Sequence, residues 1–224
     1  MKRSVKTNRV EPSDMTWALT FSECAKLFQE ASWFQYFEKI DGHHTEVSYE
    51  FSQGLEKDIV TFNTLKIELT RELIVEARGI ADEGEFWFKK VPFAFNSENY
   101  LLPNVVADWG KGVHIQNFKP EWREPIKILQ SYITCEGIYA SVFKYHFRFL
   151  QHLSHESKMN LPFFFLKSLQ KMSSRVKEHK YHTKQSIFHH GLIKLIISTE
   201  LQKRGNIWDY FLFWSVFQSE KEDQ

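Results

Sequence analysis

The architecture follows most directly from one apolar segment, CEGIYASVFKYHFRFLQHL at residues 135–153. At helical spacing its polar side chains form a single narrow stripe, and the rest of the circumference is apolar. The stripe consists of Ser141, Lys144, Arg148, Gln151 and His155. A helix that is apolar around most of its surface must be surrounded by protein. The segment therefore predicts a central helix that the rest of the fold encloses.

Further secondary structure is predicted on both sides of this segment. Apolar residues that recur at steps of three and four predict helices over 121–133, 161–178, 186–204 and 206–217. Alternation of apolar and polar residues predicts a β-hairpin over 58–69, with its turn at Asn63 and Thr64. Thr70 is a predicted N-cap for a short helix that ends at Gly79. Together these patterns predict a mostly α-helical fold.

The chain of 224 residues is predicted to form a single globular domain over 15–217. It comprises a hairpin–helix and loop region at 47–120 and a helical bundle at 121–217. Residues 1–14 are predicted to be a basic flexible arm and 218–224 an acidic flexible tail. In the N-terminal part, Ser22 is predicted to cap one helix that Gly42 ends.

Residues 80–120 are rich in glycine and proline, which predicts an irregular loop with short helical turns. The loop nevertheless carries five large rings, Trp87, Phe88, Phe93, Phe95 and Trp109. Because exposed rings would forfeit a large burial free energy, we expect these rings to pin the loop to the core.

Composition indicates a soluble intracellular protein of the cytoplasm or nucleus, without a membrane partner. The basic N-terminus has no apolar run behind it, so it is not a secretory signal. No apolar run reaches the roughly 20 residues that a membrane span needs. The net charge is +1, so any attraction to a polyanion has to be local.

The sequence predicts no catalytic residue, no metal ligand, no cofactor and no identifiable small molecule. Ten histidines are present, but none stands in a recognised metal-binding pattern. Cys135 and His146 are the only tempting nucleophile–base pair, and on one helix they would lie about 16 Å apart. An enzyme stays as the third alternative, and it requires a cleft in which Cys135 or a carboxylate reaches a histidine.

A basic segment suggests nucleic-acid binding. Between residues 167 and 184 a single acidic residue, Glu178, stands against six basic ones. These are Lys167, Lys171, Arg175, Lys177, Lys180 and Lys184. The first three are spaced four apart and would share one helical face, which could neutralise phosphates. The other interpretation is an ordinary solvated helix face.

Several strings resemble a family of plant proteins of unknown biochemical function that are associated with transposable elements. They are EGEFWFK at 83–89, DWGKG at 108–112, QSYITCEG at 130–137, YHFRFL at 145–150, NLPF at 160–163 and FHHGLIK at 188–194. The resemblance covers most of 25–217. It implies a transposon-derived origin, such as a scaffold or coat-like part, and no site residues.

The leading hypothesis is therefore a non-enzymatic interaction or scaffold module that binds a protein partner or itself. Its predicted surface consists of Lys144, Arg148 and Gln151 from the polar stripe together with Trp87 and Trp109 from the loop. The alternative for the two tryptophans is that they only pack the loop against the core. Nucleic-acid binding through the basic segment is the second hypothesis.

Overall fold

The computed structural model describes residues 23–38, 45–62, 65–135, 140–179 and 189–205. Its helices are α1 (Glu23–Glu30), α2 (Phe34–Glu38), α3 (Thr45–Gly54), α4 (Arg71–Arg78), α5 (Pro120–Ile128), α6 (His146–Leu153), α7 (Leu161–His179) and α8 (His190–Lys203). Its strands are β1 (Leu55–Glu56), β2 (Ile59–Phe62), β3 (Leu65–Glu68), β4 (Val113–His114) and β5 (Ser141–Val142). The prediction of a mostly α-helical fold is confirmed.

The two strands of the predicted hairpin and the helix after it are confirmed, whereas the predicted turn at Asn63 and Thr64 lies outside the described residues. Strands β2 and β3 pair antiparallel, and β1 adds a third strand. The N–H of Leu73 donates to the Thr70 hydroxyl at 3.2 Å, which caps α4. Gly79 ends that helix in the left-handed region with a φ of 69°. Helices α3 and α4 pack against α7 and α8, so this N-terminal unit covers one side of the helical core.

The single helix expected between Ser22 and Gly42 is a wrong prediction within the described residues. The chain breaks after α1, where Ser32 takes a φ of 60°. The break turns the buried Trp33 onto α6, and its ring stacks on His152 with centroids 4.2 Å apart. Apolar spacing continues across the break, which is why the sequence pattern did not reveal it.

The central helix is shorter than predicted. Residues 129–134 form a π-helical turn that continues α5, and Cys135 leaves this turn with a φ of 47°. Residues 136–139 lie outside the described part. Ser141 and Val142 then form β5, which pairs with β4, so the prediction of one helix over 135–153 is wrong. Its remaining part, α6, is the buried central helix that the apolar pattern indicated.

The other helical predictions differ in how far the structure describes them. Residues 121–133 are helical in α5 and its π-helical extension, and 161–178 in α7. Helix α8 confirms the described part of 186–204. The predicted helix at 206–217, the arm at 1–14 and the tail at 218–224 lie outside the described residues. None of the helices described here is long and apolar enough to cross a membrane.

The irregular loop at 80–120 is pinned by its rings, as predicted. Trp87 is fully buried, and Phe93, Phe95 and Trp109 pack partly buried against the core. The ring of Phe147, on the central helix, lies at the middle of this cluster. The loop therefore wraps the central helix and brings its own turns next to those of β5.

Candidate functional site

An open groove lies between the turn at residues 89–93 and the turn at residues 143–145. Its volume is about 410 Å³. The lining consists of Lys89, Lys90, Val91, Pro92, Phe93, Trp109, Phe143, Lys144 and Tyr145. We call it the lysine–aromatic groove. Three ammonium groups and four rings thus share one concave surface, and the described lining contains no carboxylate.

The first wall is anchored from below by Trp87. The indole N–H of this buried ring donates to the Val91 carbonyl at 2.9 Å. The Val91 N–H donates to the Phe88 carbonyl at 2.8 Å, which closes the turn that presents Lys89 and Lys90. Phe93 packs edge-to-face on Trp87, with ring centroids 5.5 Å apart. The turn therefore has a fixed position on the core.

The second wall follows β5 and leads into α6. The Phe143 N–H donates to His146 Nδ1 at 3.0 Å, which holds the turn between strand and helix. The rings of Phe143 and Tyr145 are nearly parallel, with an interplanar angle of 8° and centroids 6.2 Å apart. Gly112 lies against this wall with a φ of 80°, and a Cβ there would be 3.3 Å from the Phe143 ring. A larger residue at 112 would therefore displace this wall.

Trp109 connects the two walls. Its ring makes edge-to-face contacts with Phe95, at 5.3 Å between centroids, and with Phe147, at 5.0 Å. The ring is partly buried, and its remaining surface lines the groove. The carboxylate of Asp108 accepts the N–H of Gly110 at 3.0 Å, which fixes the turn after the ring.

The lysines are held beside the rings. Lys89 Nζ lies 4.7 Å from the ring centroid of Tyr145. Lys144 is exposed, and its Nζ lies 5.9 Å from the ring centroid of Phe95. Lys90 is also exposed. An ammonium over a ring face is attracted by the ring quadrupole, so cationic and aromatic surface alternate along the groove.

Burial makes the histidine beneath the groove neutral. Desolvation, together with the nearby charge of Lys89, lowers the pKa of His146 to about 3. His146 therefore adds no charge to the groove at neutral pH.

Two residues of the predicted interaction surface reach the groove, namely Lys144 and Trp109. The other three are buried, which corrects that prediction. Trp87 lies under the first wall with no exposed surface. Arg148, 2% exposed, pairs with Glu85, and Gln151 donates to the Ala94 carbonyl at 2.8 Å.

Two residues of the polar stripe, Arg148 and Gln151, are buried for a physical reason. The loop at 80–120 crosses this side of α6, and its backbone carbonyls and acidic side chains need donors there. Arg148 and Gln151 provide those donors, and a buried polar group that is hydrogen-bonded costs little. These two residues therefore hold the loop, whereas Lys144 and His155 of the same stripe are exposed.

The basic segment is partly engaged in contacts within the chain. Lys177 Nζ donates to the Leu55 carbonyl at 2.6 Å, and Lys167 Nζ donates to Gln170 at 3.0 Å. Lys171 Nζ lies 6.0 Å from the ring centroid of Phe88, next to the first wall of the groove. Arg175 is exposed one turn further along α7, whereas Lys180 and Lys184 lie outside the described residues.

Cys135 meets a histidine, but not the one that sequence reasoning paired with it. Its Sγ lies 3.7 Å from Nδ1 of His189, and the thiol donates to the Ser131 carbonyl at 3.3 Å. His146 instead places Nε2 3.4 Å from the Thr134 hydroxyl. Burial lowers the pKa of His189 well below its usual value. The contact supplies the thiol–imidazole proximity that an enzyme would need, yet neither residue lines the groove.

Sequence reasoning missed most of the groove. Lys89, Lys90, Phe143 and Tyr145 were not singled out as site residues, and Phe93 was predicted only to pin the loop. A signal nevertheless exists in the strings FWFKKVPF at 86–93 and FKYHF at 143–147. Both interleave lysines with rings. Only the fold shows that the two strings face each other.

Neither a metal site nor a similar protein identifies a function for the described part of the chain. Across the described ranges, no three His, Cys, Asp or Glu side chains are grouped so that they could hold a metal ion. No family model, no curated protein and no solved structure matches this chain. Any functional conclusion therefore depends on the geometry of the groove.

Proposed function

We propose that this protein is a non-enzymatic binding module whose docking face is the lysine–aromatic groove. The partner carries a run of anionic groups. One observation carries the proposal: Lys89, Lys90 and Lys144 converge with four rings on one open groove that has no carboxylate in its described lining. Opposite charge raises the local concentration of such a partner and speeds its association.

The way in which the walls are held supports binding. Trp87, Trp109 and the Phe143 turn are fixed by buried rings and by hydrogen bonds. A surface that is already ordered loses little conformational entropy when a partner docks. A mobile lysine loop of the same charge would bind more weakly.

The chemistry of the lining supports binding without turnover. Its polar side chains are three lysines and one tyrosine, and no cysteine, histidine or carboxylate is found among its described residues. Catalysis of proton or acyl transfer needs a positioned base or nucleophile. The Cys135–His189 contact lies elsewhere and favours the enzyme alternative only as a separate site.

The basic face of α7, on which the second hypothesis depends, lies next to the lysine–aromatic groove. Lys171 approaches Phe88 at the edge of the groove, so a long partner could leave the groove along Lys171 and Arg175. A transposon-derived origin, which the sequence resemblance implies, is compatible with such a module. It stays a proposal about ancestry and does not select the partner.

Charge reversal at the groove tests the proposal. The variants are Lys90→Glu and Lys144→Glu, and Lys66→Glu is the matched control because Lys66 is an exposed lysine that does not line the groove. The probes are heparin, poly-glutamate and a short single-stranded oligonucleotide, each labelled for fluorescence anisotropy. We expect each groove variant to weaken binding of at least one probe by about tenfold, with Lys66→Glu close to the unchanged protein. Equal losses in all three variants, or no binding of any probe at low salt, would refute the proposal.

A further inference from the structure

We infer that the anionic partner of the lysine–aromatic groove is a single strand of nucleic acid. Its bases stack on Trp109 and Phe143, and its phosphates lie at Lys90 and Lys144. This inference rests on the proposed function and deepens it, because it names the ligand of the same groove.

The aromatic side chains of the groove are suited to stacking against bases. Four aromatic side chains line the groove, and all four are held by defined ring contacts. Phe93 packs on Trp87, Trp109 on Phe95 and Phe147, and Phe143 lies parallel to Tyr145. A positioned ring is a stacking platform for a base, whatever the base sequence. Each of these rings is only partly buried, so part of its surface is open to a base in the groove.

The spacing of lysines and rings in the groove matches the phosphate–base repeat of a nucleic-acid strand. Lys144 follows Phe143 and precedes Tyr145, and Lys89 Nζ lies over the Tyr145 ring. A nucleic-acid strand has the complementary repeat, since each nucleotide combines one phosphate with one flat ring. Proteins that bind single strands without sequence preference use this combination of cationic groove and aromatic platform.

Other anionic partners match only half of the surface. An acidic peptide segment and a sulfated polysaccharide offer negative charge but no regular row of flat rings. A nucleic-acid duplex has a higher charge density, yet its bases are stacked on each other and present only their edges in the grooves. The single strand alone combines accessible base faces with regular negative charge.

The surface next to the groove suggests a site longer than one nucleotide. Phe88 precedes Lys89 and lies beside Lys171 of α7, and Arg175 follows one turn later. A strand that leaves the groove at its first wall would meet this row of cations. We therefore expect affinity to rise with strand length beyond the groove itself.

Strands with and without bases separate stacking from charge. The full chain is titrated with a single-stranded oligonucleotide, with an abasic strand of equal length and charge, and with the corresponding duplex. We expect the base-bearing strand to bind about tenfold or more tightly than the abasic strand, because each base stacked on a ring strengthens binding several-fold or more. The duplex is expected to bind more weakly than the single strand.

A ring variant assigns the effect to the groove. Trp109→Leu removes the platform but keeps an apolar side chain against Phe95 and Phe147. Trp122→Leu is the matched control, because Trp122 is also partly buried and packs on Tyr100 outside the groove. Only Trp109→Leu should reduce the advantage of the base-bearing strand, and it should leave binding of the abasic strand unchanged. Trp109→Phe should restore part of that advantage.

The outcomes distinguish the two proposals. Equal affinity for base-bearing and abasic strands, or tighter binding of the duplex or of poly-glutamate, overturns the single-strand inference and leaves the binding module standing. An advantage of the base-bearing strand that Trp109→Leu does not alter also overturns the assignment to this groove. Failure of every polyanion to bind overturns both proposals.

Discussion

The guanidinium of Arg148 pairs with the carboxylate of Glu85. The Arg148 side chain is buried, with 2% of its surface exposed, whereas 60% of the Glu85 side chain is exposed. The pair joins the central helix α6 to the loop that forms one wall of the groove. Arg148 also donates to the Lys158 carbonyl at 3.3 Å, on the segment before α7. One buried charge therefore holds three parts of the chain together.

Removal of the Glu85 charge should destabilise the protein. Glu85→Gln leaves the buried guanidinium without its anion, and we expect a loss of about 2 kcal/mol, below the full cost of breaking a buried pair because Glu85 is solvated. The matched control is Glu83→Gln, since Glu83 pairs with Lys158 at 3.6 Å on the same loop and both side chains are exposed. That control should cost under about 0.5 kcal/mol in a urea titration. Equal losses would show that Arg148 does not depend on Glu85.

A methyl group at residue 84 should be poorly tolerated. Gly84 has a φ of 99°, and a Cβ there would lie 2.8 Å from the backbone carbon of Met159. Gly84→Ala should therefore cost more than about 2 kcal/mol, from backbone strain and from the clash together. Gly205→Ala is the control, because Gly205 has a φ of 69° but nothing within 4 Å of a Cβ. Its cost should be about 1 kcal/mol, and a similar midpoint for both variants in urea would contradict the close approach.

Acid should destabilise the fold through its buried histidines. His152 accepts the Met159 N–H at 2.8 Å and lies 3.4 Å from the Ala31 carbonyl. Burial lowers its pKa to about 4 and that of His146 to about 3, below the usual 6.5. The unfolded chain therefore takes up protons first as pH falls below 6.5. Each histidine removes up to about 1.4 kcal/mol of stability per pH unit down to its folded pKa.

Unfolding by urea at pH 7 and at pH 5 tests this dependence. His152→Gln should be less stable than the unchanged protein at pH 7, because it loses the stack on Trp33. It should also lose less stability between the two pH values, since one titrating group is absent. An identical pH dependence in both proteins would show that His152 is not the titrating group.

The two cysteines should react at different rates. Cys24 is buried, and burial raises the pKa of its thiol to about 12. Cys135 is partly exposed. Iodoacetamide should therefore alkylate Cys135 first in the folded protein, because the thiolate is the reactive form and access is required. Peptide mass spectrometry reports the order, and guanidinium should abolish the difference.

The sequence predicted those parts of the fold that depend on residues close together in the chain. Thr70 and Gly79 mark a helix by side-chain capping and by a left-handed backbone, and both are readable from sequence. The extent of the central helix was not readable. Ser141 and Val142 are drawn into a strand by β4, which lies far away in the chain.

The candidate site was only partly predictable for the same reason. Arg148 resembled a surface cation because its partner Glu85 is 63 positions away. The groove exists only where the turn at 89–93 meets the turn at 143–145, and no periodicity within either segment encodes that meeting. Trp109 and Lys144 were singled out from sequence, but the rings and lysines opposite them were not.

The salt dependence of single-strand binding shows whether Lys90 and Lys144 contact phosphates. The slope of log Kd against log salt concentration is measured for the unchanged protein, for Lys90→Glu/Lys144→Glu and for Lys66→Glu. If two phosphates lie at Lys90 and Lys144, the double variant should lower the slope by about 0.7 for each lost contact, and Lys66→Glu should not change it. An unchanged slope in the double variant would show that neither lysine contacts a phosphate.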